Sequence, residues 1–332
     1  MKIIRYFIIL FLFFTNSALC GNDDSFNKWL KNFKIYALKN SISELTFDKV
    51  MSDVIFLPKV IKYDRFQPEF YEDTKTYITK RSSNQKVKQG IKLYELNKGF
   101  INSIDIKFSV ERSLLLALMG IETNFGTYLG KMDILSSLAT LSYDKRRSEF
   151  FTKELITILQ LIESKKIDPN ILYGSWAGAF GNFQFMPSTI EKYALDFDKN
   201  NIIELKSTKD SFASAANYIN KIGWEKDQPC FVKVNLTEDV PKELLNTSAK
   251  KLHNKKKFKI LKKYIKNKGN NIVDENLIAA IITPDIDIIP DAENLEPAYI
   301  VFENYEKILQ WNRSLRFGLA VCTLKDKFEN VL

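Results

Sequence analysis

Leu114-Leu115-Leu116-Ala117-Leu118-Met119 constrains this chain more than any other stretch. A helix from Ser109 to about Asn124 that carries this run has apolar residues on every face. Such a helix is stable only when surrounded, so the rest of the chain must supply a shell of packing partners. With 332 residues, 45% of them hydrophobic, there is enough material for that shell without metal or disulfide support. The length fits one large or two modest domains. With 12 glycines and 9 prolines, collagen-like and low-complexity architectures are excluded.

The shell is read from hydrophobic periodicity. Trp29, Leu30, Phe33, Tyr36 and Ala37 fall at helical spacing, and the helical pattern runs from Ser25 to about Asn97 with a break at Ser82-Ser83-Asn84. Further helices are predicted at Ile134–Tyr143, Ser148–Ser164, Ser188–Ala194 and Asp210–Ile222. Ser188-Thr189-Ile190-Glu191 reads as a capping box, and Gly223 as a helix stop. The period then changes. Phe231–Leu236 alternates like a half-buried strand, and Leu277–Thr283 and Ala298–Phe302 are also strand-like. Helices at Asn304–Gln310 and Leu315–Phe328 close the chain. The fold class is mainly α (α+β): a helical region over 21–228, a small β-containing subdomain over 229–303, and C-terminal helices over 304–332 that return to the core.

The first twenty residues read as an export signal. Lys2 and Arg5 precede an apolar run from Tyr6 to Phe14 and a small-residue exit ending Ala18-Leu19-Cys20. The run is too short for a membrane span, which needs about 20 apolar residues. Cleavage after Cys20 and acylation of Cys20 as a lipoprotein anchor both remain open. Either way a periplasmic protein is expected. In an oxidising compartment Cys230 and Cys322 either pair or sit as two separate buried thiols.

The net charge of +9 is local. Lys250–Lys268 holds ten lysines and no acid, and interleaved Phe258, Ile260, Leu261, Tyr264 and Ile265 predict an amphipathic helix with a lysine face. That face is a solvated surface or a contact for an anionic surface. An exported chain without a nucleic-acid motif is not expected to bind nucleic acid. A monomer is expected.

One histidine, His253, lies among lysines, so acid–base chemistry is expected to run on a carboxylate. Glu122, in Gly120-Ile121-Glu122-Thr123-Asn124-Phe125-Gly126, ends the most apolar helix. Partial desolvation and the negative end of the helix dipole both favour its protonated form, as a general acid requires. Gly174–Ser188 interleaves glycines, aromatics and amides, which suits either a sugar-binding wall or a tight helix junction. Asp196, Asp198, Asn200 and Ile202 match the opening of an EF-hand loop, with Asp210 placed to close a longer loop. There Asn201 replaces the turn glycine, and Ser207 stands where the closing glutamate is usual.

In order along the chain these segments resemble the membrane-bound lytic murein transglycosylase B family. The motifs are Gln67-Pro68-Glu69-Phe70, Gly120–Gly126, Leu138-Ala139-Thr140-Leu141, Arg146–Phe151, Gly174–Ser188, Asp196-Phe197-Asp198, Ala215–Ile219 and Trp311-Asn312-Arg313-Ser314. The match fades between about 237 and 276. The resemblance implies a lysozyme-like helical core that cleaves the β-1,4 bond between N-acetylmuramic acid and N-acetylglucosamine in peptidoglycan, leaving a 1,6-anhydro end. It implies Glu122 as the acid/base; Ser175, Gln184, Phe185, Tyr218 and Asn312 along the sugar cleft; and Arg146 and Arg147 toward the stem peptide. It also implies structural calcium at Asp196, Asp198, Asn200, Ile202 and Asp210, with no cofactor required for chemistry. Trp311 stands where the family more often has tyrosine. A single acid/base suits this reaction, whereas ordinary glycosidases need two carboxylates. The competing readings are a hydrolysing muramidase on the same fold and a non-catalytic peptidoglycan-binding protein.

Overall fold

The computed structural model describes residues 20–66, 72–266, 273–286 and 295–332. Residues 1–19 of the expected signal, the Gln67-Pro68-Glu69-Phe70 motif and Lys268 lie outside the described residues. The chain is mainly helical. The first helices are α1 (Cys20–Lys39), α2 (Glu44–Met51), α3 (Pro58–Arg65), α4 (Thr74–Arg81), α5 (Asn84–Phe108) and α6 (Arg112–Thr123). They are followed by α7 (Ile134–Tyr143), α8 (Ser148–Glu163), α9 (Pro187–Tyr193), α10 (Thr208–Lys221), the single turn α11 (Phe258–Leu261), α12 (Glu303–Trp311) and α13 (Leu315–Glu329).

As its sequence demands, α6 is wrapped on all sides. Ser113 to Gly120 are all buried, and α5, α10 and α13 pack around them. Each fully buried leucine contributes about 1.5–3 kcal/mol relative to exposure. The helix is shorter than the apolar run suggests. Ser109 ends α5 in a left-handed conformation, and α6 begins only at Arg112. Helix starts follow local chemistry. The Ser83, Asp133, Ser207 and Ser314 side chains accept hydrogen bonds from amides in the first turns of α5, α7, α10 and α13. Two buried hydroxyls of α7 do the same for a loop: Ser136 accepts from Ile55 N at 3.1 Å and Thr140 from Leu57 N at 2.9 Å.

The expected capping box at Ser188 does not form. The helix starts one residue earlier, at Pro187, and the amide and hydroxyl of Ser188 both donate to buried Glu154, at 2.8 and 2.7 Å. A buried carboxylate on α8 is a stronger acceptor than a neighbouring side chain exposed to water.

A short antiparallel pair, β1 (Met132–Asp133) and β2 (Tyr173–Gly174), precedes a larger sheet. That sheet comprises β3 (Phe231–Val234), β4 (Leu245–Asn246), β5 (Lys256–Lys257), β6 (Ile278–Ile282) and β7 (Ala298–Phe302). Its order is β3-β7-β6-β4, with β5 also pairing β6; all pairs are antiparallel except β4–β6. Side-chain alternation divides its central strands between two cores. Ala280, Ile282, Tyr299 and Val301 join the main helical core. Ala279, Ile281, Ala298, Ile300 and Phe302 face a second cluster with Leu236, Val240, Phe258 and Leu261. The sheet is therefore a wall shared by both cores, which is why β6 and β7 read as unbroken apolar runs. Cys230, just before β3, is bonded to Cys322 in α13, with 6.1 Å between Cα atoms.

The predicted amphipathic lysine helix is replaced by strand β5, one α-turn and a 3-10 turn at Lys262–Tyr264. Phe258, Leu261 and Ile265 do point inward, but they plug the second core from a turn, while Ile260 is exposed.

Candidate active site

Glu122 lies in the last turn of α6, where the buried helix meets the surface. The chain leaves it through three successive left-handed residues, Asn124 (φ 49°), Phe125 (φ 58°) and Gly126 (φ 80°). The helix ends where its sequence pattern places the end, with Asn124 as its C-cap. A bulky residue in this conformation costs about 1–3 kcal/mol and persists only where its surroundings fix it. Here the Phe125 ring packs beside Gly120 and Gly90, where a Cβ would come within 2.7 and 2.9 Å of its Cζ.

The Glu122 carboxylate accepts a hydrogen bond from the Trp311 indole at 2.9 Å, across 189 residues of chain. Trp311 ends α12 and is the centre of an aromatic group. It stacks on Tyr218 at 5.0 Å and 18°, and Tyr218 stacks on Tyr193 at 4.3 Å and 20°. Phe185 and Phe183 meet Trp311 edge-on at 5.3 and 6.2 Å. Tyr218 donates to Gln310 O at 2.9 Å. Burial, reinforced by Tyr193, pushes its hydroxyl up to about 12, so it remains a neutral donor.

The sequence-predicted residues fall into three groups. Glu122, Phe185, Tyr218 and Asn312 come together around Trp311. Phe185 and Tyr218 are only 3% and 8% exposed, so they support Trp311 rather than offer open faces. Asn312 caps α12, and its side-chain amide makes no hydrogen bond among the described residues. Ser175 and Gln184 sit in the glycine loop and serve it: Ser175 Oγ accepts from Ala179 N at 3.0 Å, and Gln184 Nε2 donates to Gly181 O at 2.9 Å. That loop is a tight junction. At Gly178 and Gly181, both with positive φ, a Cβ would lie 2.5 Å from Leu138 and Leu205. Thr123, beside Glu122, donates to Asn182 O at 2.8 Å, fastening the loop to the end of α6.

Arg146 and Arg147 form the third group. Both clamp buried Asp64 on α3; Arg146 Nε donates to its carboxylate at 2.7 Å, and Arg147 pairs with the other oxygen. Each guanidinium keeps about two-fifths of its side chain exposed, 42% and 38%. Their first task is therefore to hold α3 against the turn before α8.

The oxygens of Asp196, Asp198 and Asp210 lie within 4.8 Å of one another. Asp210 is fully buried and accepts amide hydrogen bonds from Phe197 and Glu204, both at 2.9 Å. Asp196 accepts from Asn200 N and Asn201 N, and Asn200 Oδ1 from Ile202 N. Asn201 takes φ 72°, the conformation the absent glycine would supply. Ser207 caps α10 instead of closing the loop. Three converging carboxylates and a loop of the right turn geometry suit a hard divalent cation such as calcium.

Sequence reasoning left Trp311 without a role and missed Tyr193 and Lys86. Lys86, on α5, donates to Gly120 O and to Asn124 Oδ1, the latter at 3.0 Å, capping the helix that carries Glu122. Burial, with Arg81 nearby, lowers its pKa. No local signal marks these residues. The Trp311-Asn312-Arg313-Ser314 motif alone pointed to the right segment.

Comparison with known proteins places the fold. The family model for the transglycosylase SLT domain matches residues 25–326. Membrane-bound lytic murein transglycosylase B of Escherichia coli (strain K12) is 36% identical over 160 residues, 48% of this chain but only 44% of that relative's length. SltB3 of Pseudomonas aeruginosa, solved in complex with NAG-NAM-pentapeptide, superposes with a TM-score of 0.81 at 29% identity, covering 92% of this chain and 79% of that one. The E. coli lytic transglycosylase Slt35 in complex with calcium has a TM-score of 0.73 at 24% identity, covering 93% and 94%, a likeness of fold. With a family model spanning nearly its whole length, the chain belongs to the transglycosylase SLT domain family.

Proposed function

We propose that this protein is a peptidoglycan lytic transglycosylase that cleaves the N-acetylmuramic acid–β-1,4–N-acetylglucosamine bond and leaves 1,6-anhydromuramic acid ends. The observation that carries the reading is Glu122, a carboxylate at the end of a buried helix that accepts the Trp311 indole N–H at 2.9 Å. In the first step the Glu122 carboxyl protonates the leaving glycosidic oxygen. In the second it takes the proton of the muramic acid C6 hydroxyl as that oxygen attacks C1. The substrate's N-acetyl group stabilises the positive charge between the two steps. Trp311 fixes the carboxyl's direction, and the packed Tyr218–Tyr193 stack fixes Trp311. Asn312, Ser175 and Gln184 border the sugar path, and Arg146 and Arg147 turn their exposed edges toward the stem peptide. Mass analysis of products from purified sacculi tests the reading: anhydro ends support it, reducing ends indicate a hydrolysing muramidase, and intact glycan a binding protein.

Calcium is proposed as a structural ion held by Asp196, Asp198, Asn200, Ile202 and Asp210, with no part in the chemistry. The 4.8 Å carboxylate cluster supports it, as does calcium in the Slt35 structure. Export to the periplasm rests on the N-terminal sequence. No helix among the described residues is long and apolar enough to cross a membrane.

A further inference from the structure

Lys86 sits where a lysine is locally unfavourable. It lies in the first turn of α5, where the Ser83 cap accepts its amide, so a positive charge there opposes the dipole of its own helix. The side chain is partly buried, and burial and Arg81 both lower its pKa while no carboxylate raises it. What the side chain gains lies on α6. Asn124 N and Phe125 N both bond to Met119 O, which leaves the buried Gly120 carbonyl without a backbone donor among the described residues. Lys86 Nζ donates to that carbonyl and, at 3.0 Å, to Asn124 Oδ1. The two acceptors stand two residues before and two residues after Glu122. A buried carbonyl without a donor is costly, and a cation is favoured at a helix C-terminus. A residue that breaks the rules of its own helix to satisfy another marks a functional constraint.

We propose that Lys86 is a positioning residue for the reaction of Glu122, an inference that rests on the transglycosylase reading above. By bridging Gly120 O and Asn124 Oδ1 it staples the last turn of α6 and fixes the backbone from which the Glu122 carboxyl is aimed. Trp311 holds the carboxyl itself at 2.9 Å from α12. Thr123 ties the same turn to Asn182 O at 2.8 Å. Of these three ties, the one from Lys86 grips the chain on both sides of Glu122. The need for it is local. Asn124, Phe125 and Gly126 all take positive φ, so α6 has no further turn to stiffen its end. The bonds of Lys86 are to the chain around Glu122, so it acts through the main chain. There a shift of about 1 Å in a catalytic group costs up to roughly 100-fold in rate.

The test is steady-state turnover of soluble glycan strands by the full chain, with products identified by mass and the folded fraction of each variant taken from its melting curve. Lys86→Met keeps the apolar stem and removes the donors. It should lower kcat about 10-fold per folded molecule and leave KM at the wild-type value, since no substrate contact is lost. Lys86→Arg, whose planar fork can serve two acceptors, should restore most of that loss. Asn124→Gly keeps the left-handed turn and removes one acceptor, so it should lower kcat less than Lys86→Met does. Combined with Lys86→Met its own loss should shrink, because the two residues act as one unit. Wild-type kcat in Lys86→Met overturns the proposal, as does a rise in KM in place of the fall in kcat. Losses that multiply in full overturn it too, and a loss that Lys86→Arg does not relieve reduces the site to packing. Should Lys86→Met fail to fold, Lys86→Arg and Asn124→Gly decide: near-wild-type kcat in the first and a fall in kcat at constant KM in the second support the proposal, and any other pair overturns it. Wild-type products separate these outcomes from the reading beneath them. Reducing ends replace that reading with hydrolysis, and the same Lys86 losses then hold for the hydrolytic step. Intact glycan removes both.

Discussion

The β6–β7 wall separates two regions built by different means. On its helical side, buried carboxylates each hold specific amides and hydroxyls or ring N–H groups. Glu154 holds Ser188, Glu111 holds Trp224 and Asp227 N, and Asp210 holds the amides of Phe197 and Glu204. On the lysine side the ion pairs are exposed: Lys255–Glu306, Lys262–Glu275, and Lys266–Glu238 at 4.0 Å. Breaking a buried pair leaves an unsatisfied charge and costs several kcal/mol, whereas an exposed pair contributes about 0–1 kcal/mol. Glu122 and Trp311 meet across 189 residues of chain on the helical side of the wall. The lysine flank contributes charge at a distance and tolerates change.

The sharpest break in this comparison is Glu122→Gln. One group serves as both acid and base, so loss near the upper end of general acid–base catalysis is expected, roughly 10⁴-fold in kcat. The melting temperature should hardly move, because the amide is isosteric. Substantial anhydro product from the folded variant would refute the assignment. Next comes the disulfide, whose two cysteines both lie in the main core. Cys230–Cys322 closes a 92-residue loop. In the chain-entropy model such a loop is worth about 4–5 kcal/mol, through the unfolded state. Cys230→Ser/Cys322→Ser should therefore lower stability by up to that amount in urea titration, while the folded fraction keeps its activity. A midpoint equal to wild type would show that the main core holds together without the bond. Trp311→Phe is milder still. It keeps the ring beside Tyr218 but removes the donor to the Glu122 carboxylate. A hydrogen bond to a charged group is worth about 1.5–3 kcal/mol, so kcat should fall roughly 10–100-fold while the aromatic stack persists in near-ultraviolet dichroism.

What the sequence reveals follows the same division. Helix α7 and strand β7 have the boundaries their apolar patterns predict, because both are packed on their patterned faces. Glu122 is legible because the run before it admits only one environment. The lysine segment misleads: Phe258, Leu261 and Ile265 have helical spacing, yet pairing of Lys256 with Ala279 and of Lys257 with Ile278 ends helix formation before it starts. The cleft residues were half-legible. Phe185 and Tyr218 are aromatic at the right place, but only tertiary packing decides that they bury themselves to carry Trp311. Arg146 and Arg147 look like free cations until Asp64, more than eighty residues earlier, arrives between them. Ser188 looks like a cap until Glu154 outbids Glu191 for it.

The acidic loop tests whether the helical side includes a metal. Asn201 in place of glycine and Ser207 in place of the closing glutamate predict weak binding, within about 10⁻⁶–10⁻³ M. Calcium at ten times its Kd should stabilise the fold by about 1.4 kcal/mol, seen as a rise in melting temperature. Asp198→Ala, at an exposed position of the cluster, should abolish the rise without unfolding the protein, and activity should persist in chelator. An unchanged wild-type melting curve would make the loop a turn that merely gathers carboxylates.

The smallest effect is expected on the lysine flank, and it decides whether that flank has a partner. Lys255 and Lys262 are committed to Glu306 and Glu275. Lys256, Lys257, Lys259 and Lys263 are exposed and outside the ion pairs of the described residues. Their attraction to an anionic sacculus acts through solvent and is screened over a Debye length of about 8 Å at physiological salt. Each contributes at most a few tenths of a kcal/mol to 1 kcal/mol. Neutralising all four should therefore weaken co-sedimentation with sacculi several-fold at low salt and barely at physiological salt. Turnover of short soluble glycans should stay unchanged, because none of these four lysines contacts Glu122 or the Trp311 stack among the described residues. Equal sedimentation at low salt would make the flank a solvated surface. A fall in soluble-glycan turnover would show that the wall between the regions transmits more than the packing implies.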